Sequence, residues 1–166
     1  MTPEPARVLI AGLGNIFLGD DAFGVEVVRR LSAMTLPAHV RVADIGARLR
    51  DLAYDMLDGR YDTVILVDAI SRGAAPGTLH VLEPDTDHAH GDVVTGGHSI
   101  QPHEVMTLLR QLGGQEPTIL IVGCEPLCIG PDAGLSPAVE AVMDEAVDLV
   151  LQLASSPSCV SVRNLD

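Results

Sequence analysis

The feature that most constrains this 166-residue chain is an alternation of short, β-rich apolar runs with stretches of helical spacing. Residues 7–12 (RVLIAG), 40–45 (VRVADI), 63–69 (TVILVDA) and 118–123 (TILIVG) read as strands, largely of the kind buried on both faces of a sheet. Residues 23–31 place Phe23, Val27, Val28 and Leu31 on one helical stripe, with Glu26, Arg29 and Arg30 turned outward. Gly24, one turn before Val28, allows that helix to pack closely. Residues 49–57 read as a second helix. Pro102 opens a third, with Val105, Leu108, Leu109 and Leu112 on one face. Ser136 caps and Pro137 begins the last, whose stripe is Val139, Val142, Met143, Ala146, Val150 and Leu153 and whose acidic face is solvated.

One more strand, 78–82, follows the third after residues 70–77 alone. That connection is too short for a parallel crossover, so the strand is expected antiparallel to the third, at an edge. The fold class predicted is α/β: a three-layer αβα sandwich with a mostly parallel five-stranded sheet and one antiparallel edge strand. The length suits a single domain, residues 1–154, with 155–166 as a flexible, aperiodic tail. Residues 83–97, rich in Asp, His and Gly, are expected to be irregular, and functional or mobile.

Composition narrows the function. Hydrophobic residues make up 47% of the chain but aromatics only 2%, so the core is built from Val, Leu, Ile and Ala. The net charge of −13, from 23 acidic and 10 basic residues, opposes binding to nucleic acid or to anionic membranes. Three cysteines, Cys124, Cys128 and Cys159, give no disulfide framework and point to a reducing, cytoplasmic setting. Their spacing suits neither a CxxC redox pair nor zinc. No apolar run approaches a membrane span, and the N-terminus lacks the basic region of a signal peptide.

The chemistry-bearing positions cluster after strands. Gly12 and Gly14 begin a GxGxxG pattern whose third glycine is replaced by Phe17, which weakens a nucleotide-binding reading that would use Asp44 toward a ribose. Asp20 and Asp21 follow the first strand. Asp20 is assigned to helix capping and dipole compensation, which leaves Asp21 as a site candidate. Asp68 ends a strand that should be central, where a carboxylate needs a partner or a cation. In open α/β sheets ligands bind beyond the carboxyl ends of strands, so Asp21 and Asp68 can reach one crevice. Of six histidines, His39, His80, His88 and His90 are expected at the surface. His103 falls on the polar face of its helix and should be solvated, and His98, in a Gly-Gly-His loop, is preferred for the site. Two carboxylates and an imidazole form an O/O/N set suited to Ni, Zn, Fe or Mn. No GxSxG elbow signals a serine hydrolase.

Over residues 8–153 the chain resembles the hydrogenase maturation endopeptidases. The resemblance is carried by Gly12-Leu13-Gly14-Asn15, by Asp20-Asp21-Ala22-Phe23-Gly24, by Val67-Asp68-Ala69, by His98 before a helix and by Gly134-Leu135-Ser136-Pro137. It implies an aspartic-type protease that trims the C-terminal extension of a nickel-iron hydrogenase large-subunit precursor after nickel insertion. It also implies that Asp21, Asp68 and His98 contact that nickel, which the precursor supplies and which serves as the recognition signal. The chain departs from the commoner pattern in two places. Ala22 stands where many relatives carry Gly, so a positive φ there would be strained, and Asp21 replaces the Glu of some members. A non-cleaving chaperone for a metal-loaded partner would share these residues.

Overall fold

A computed structural model of the chain describes residues 4–84, 93–94, 99–100, 102–131 and 134–156. In chain order the elements are β1 (Val8–Leu13), α1 (Phe23–Ser32), β2 (Val40–Gly46), α2 (Leu49–Gly59), β3 (Thr63–Ala69) and β4 (Leu79–Leu82). There follow β5 (Val93–Val94), β6 (Ser99–Ile100), α3 (Pro102–Gln111), β7 (Thr118–Cys124), α4 (Pro137–Glu140) and α5 (Met143–Ser155). A 3-10 turn over Gly19–Ala22 precedes α1.

The main sheet has the order β2-β1-β3-β7-β4. β1 pairs in parallel with β2 and β3, β3 pairs in parallel with β7, and β4 runs antiparallel to β7. The edge position and direction of β4 agree with expectation, but its neighbour is β7 rather than β3. β3 already has a parallel strand on each side, so the returning chain meets the free edge of β7.

Alternation along the strands feeds two cores. Val8 and Ile10 of β1 pack with Phe23, Val27 and Leu31 of α1 and with Met143 and Val150 of α5. Leu9, Ala11 and Leu13 point the other way, to Leu52 and Met56 of α2 and Met106 and Leu109 of α3. Helices therefore cover both faces, which makes three layers. Each fully buried Leu, Ile or Phe contributes roughly 1.5–3 kcal/mol, so aliphatic side chains suffice for a domain with almost no aromatics.

Several local expectations are corrected. The last helix is two: Val142 N–H bonds to Val139 O rather than to Ala138, and helical geometry lapses before α5 resumes the same stripe. Leu112 lies beyond the end of α3 and is exposed. The expected irregular stretch contains β5, which pairs antiparallel with β6. Residues 157–166, most of the predicted tail, lie outside the described residues. Among the described residues no helix is long and apolar enough to cross a membrane.

One packing detail positions the site. A Cβ on Gly12 would sit 2.5 Å from the Gly24 carbonyl oxygen, and one on Gly24 would collide with the carbonyls of Val67 and Leu13. Missing side chains thus let the start of α1 lie directly on β1 and β3. The turn before α1 is thereby carried over the end of β3, where Asp68 stands.

Candidate active site

Asp21 lies in that 3-10 turn and is 1% exposed; Asp68 lies near the end of β3 and is 0% exposed. Both border the peptide joining Gly14 and Asn15. Asn15 N–H donates to Asp21 Oδ2 at 2.9 Å. A Cβ on Gly14 would lie 3.3 Å from Asp68 Oδ1 and would collide with the Asp21 carbonyl oxygen. Gly14, at φ 116°, is a position that glycine fills without strain. The sequence expectation that Asp21 and Asp68 reach one place at the carboxyl edge of the sheet therefore holds.

Satisfaction of these carboxylates is uneven. Asp68 Oδ1 accepts the N–H of Ala69 at 2.8 Å. Asp21 Oδ1 is buried and has no hydrogen-bond partner among the described residues. A buried carboxylate oxygen without a donor is costly unless something else meets it, and a cation is the natural partner for two oxygen ligands. The donor set fits a metal ion in that respect, although no three His, Cys, Asp or Glu side chains form a ligand group among the described residues. His98, the third predicted ligand, lies outside the described residues, as do His88, His90 and Cys159.

The residue next to Asp21 behaves differently. Asp20 is fully buried, and its carboxylate accepts the N–H groups of Leu127 at 2.8 Å, Cys128 at 3.2 Å and Ser136 at 2.7 Å. Its own N–H donates to the Cys128 carbonyl at 3.0 Å. Helix capping was expected of Asp20, but neither the turn nor α1 has a side-chain cap. Asp20 instead ties the Asp21 turn to the loop after β7.

A fourth buried carboxylate stands at the same edge. Glu125, directly after β7, accepts the N–H of Arg72 at 2.9 Å and of Gly73 at 3.1 Å, and lies 3.1 Å from His80 Nε2. His80 was expected at the surface and is 9% exposed. On the antiparallel edge strand it pairs in register with Gly123, two residues before Glu125 in the chain's path out of β7. Glu125 was overlooked, though a carboxylate closing an apolar strand is the signal that singled out Asp68. His103 is part-buried with Nδ1 shielded from solvent, rather than solvated.

Two competing chemistries lose support. Cys124 is buried, and its thiol is pushed up to about 12 by that burial and by the nearby Asp20 and Glu125 charges, so it is no nucleophile near neutrality. Gly12 and Gly14 serve chain packing, and Asp20 and Asp21 occupy the helix entrance where a phosphate would sit. Ala22, at φ −73°, carries no strain in place of glycine.

Residues 25–153 match the family model for hydrogenase maturation proteases. The chain is 35% identical to the hydrogenase 2 maturation protease of Escherichia coli K12, across 87% of this chain and 88% of that protein. It is 31% identical to a putative hydrogenase maturation protease of Methanocaldococcus jannaschii, across 87% of this chain and 94% of that one. Among solved structures, the hydrogenase maturating endopeptidase HybD from E. coli is similar with a TM-score of 0.74 at 33% identity, covering 92% and 94% of the two chains. A NiFe hydrogenase maturation protease, HycI, from Thermococcus kodakarensis gives a TM-score of 0.72 at 25% identity, covering 90% and 92%.

Proposed function

The chain belongs to the hydrogenase maturation proteases, and from that premise we propose how its own residues carry out C-terminal processing of a hydrogenase large-subunit precursor. Asp21, Asp68 and His98 hold the nickel that the precursor brings, and the ion is the signal that the substrate is ready. The observation that carries this reading is the buried Asp21 Oδ1, which lacks a hydrogen-bond partner among the described residues and stands one peptide away from Asp68.

The chemistry is of the aspartic type. One carboxylate of the pair takes a proton from the water that attacks the scissile carbonyl, and returns it to the amine as the C–N bond breaks. Nickel, when present, supplies positive charge that anchors the substrate's end beside the carboxylates. The absent side chain of Gly14 lets the Asp21 backbone close in beside Asp68, and Asp20 holds the Asp21 turn in place. The acidic surface and the free thiols of Cys124 and Cys128 suit a reducing, cytoplasmic setting.

The test compares metal-free and nickel-loaded precursor, each incubated with chelator-treated protein. Only the nickel-loaded form should yield the shortened product. Equal cutting of both forms would remove nickel from recognition, and a loaded precursor left intact would remove the peptidase activity itself.

A further inference from the structure

The chain has two phenylalanines and no tryptophan. Phe23, the first residue of α1, is completely buried, whereas Phe17 is 74% exposed. A chain so poor in aromatics that offers one to water, four residues from a candidate ligand, has left apolar surface where a partner can cover it. The ring's backbone is held firmly. Phe17 N–H donates to Asn15 Oδ1 at 2.9 Å and Leu18 N–H to the Asn15 carbonyl at 3.1 Å, while Asn15 N–H holds Asp21 Oδ2.

A second apolar tip stands across a seam. Gly19, at φ +62°, brings its loop against the Cys128 carbonyl, which a Cβ there would approach to 2.8 Å. Beside Cys128 is Leu127, 60% exposed, with its backbone N–H fixed by Asp20. Against the Phe17 loop lies a depression of about 280 Å³, whose lining includes Gly14, Asn15, Ile16 and Phe17.

We propose that Phe17 and Leu127 form an apolar docking rim on which the folded large-subunit precursor seats its own apolar surface around the segment to be cut. The proposal rests on the peptidase reading above. Continuity with the site selects this occupant, because Phe17 and Asp21 share one hydrogen-bonded turn. A second copy of this chain is disfavoured by the −13 charge that each copy would bring. Rigid aromatic anchors next to a pocket are the side chains that dominate association energies.

The experiment measures binding of nickel-loaded precursor to the Phe17→Ser/Leu127→Ser double variant, with Met34→Ser as control. Met34 is also exposed, at 46%, but follows the far end of α1. The double variant should raise Kd about tenfold or more, with the processing loss falling on KM and the Tm of the free protein unmoved. Met34→Ser should bind as wild type does. Wild-type affinity in the double variant overturns the proposal, as does an equal loss in Met34→Ser. A wild-type dimer that the double variant dissociates, with precursor affinity unchanged, also overturns it by giving the rim to a second copy. Failure of the peptidase reading looks different: the precursor would bind in a Phe17-dependent way and remain uncut, which leaves the docking rim standing.

Discussion

Asp20 and Asp21 are adjacent in sequence, are equally buried and sit at the same edge of the sheet, yet their carboxylates face opposite situations. Asp20 meets three backbone N–H groups, as Glu125 nearby meets those of Arg72 and Gly73 with His80 beside them. Asp21 meets one, and its second oxygen has no donor among the described residues. Hydrogen bonds to a carboxylate each contribute about 1.5–3 kcal/mol, so the first environment makes the charge part of the fold. The second withholds that stabilisation. A protein tolerates an unmatched buried oxygen where its ligand supplies the missing partner.

The largest expected effect separates the two regions by activity. Asp21→Ala, Asp68→Ala and His98→Ala should each lower processing of nickel-loaded precursor by about a thousandfold or more. Asp21→Asn should leave the Tm unchanged or raised, because it removes a buried charge whose second oxygen has no donor among the described residues. His103→Ala should process nearly as wild type does. Full activity at any of the three positions removes that residue from the site, and a marked fall in Tm for Asp21→Asn breaks the contrast with Asp20.

Next comes stability without chemistry. Asp20→Ala removes the acceptor of one buried and two part-buried N–H groups and should lower unfolding free energy by about 3 kcal/mol or more, read from urea denaturation. Glu125→Gln keeps one acceptor oxygen and should cost about 1–3 kcal/mol. An Asp20→Ala protein as stable as wild type would show that its three hydrogen bonds are dispensable.

The layers of the fold and the Asp21–Asp68 meeting point were legible because both follow from local pattern: apolar runs, helical stripes and the rule placing ligands beyond strand ends. Asp20 was misread because its partners belong to a loop that nothing near Asp20 in the chain announces. His80 was misread for a related reason, since edge strands are usually wet and only the partner Glu125 explains its burial. The lapse at Val142 left no trace in the stripe, because Val139, Met143 and Ala146 keep facing inward through it.

The smallest expected effect concerns alkaline pH. Cys124 holds its proton to about 12 in the folded chain against an ordinary value of 9.0. The folded state therefore binds that proton more tightly, which gives stability fully present below about pH 9 and lost as pH rises toward 12. Urea midpoints at pH 8 and pH 10.5 should converge in Cys124→Ala relative to wild type. An unchanged pH dependence would place the thiol in a more solvated setting.

The clamp at Asp20 also has a consequence in time. Its three N–H partners lie 107, 108 and 116 residues further along the chain. During synthesis the Asp21 turn emerges early, but the clamp cannot begin to close until Leu127 and Cys128 have left the ribosome, and it is complete only after Ser136 has. The acidic turn is therefore made well before the loop that secures it, and is held in place only once Leu127, Cys128 and Ser136 have folded against it.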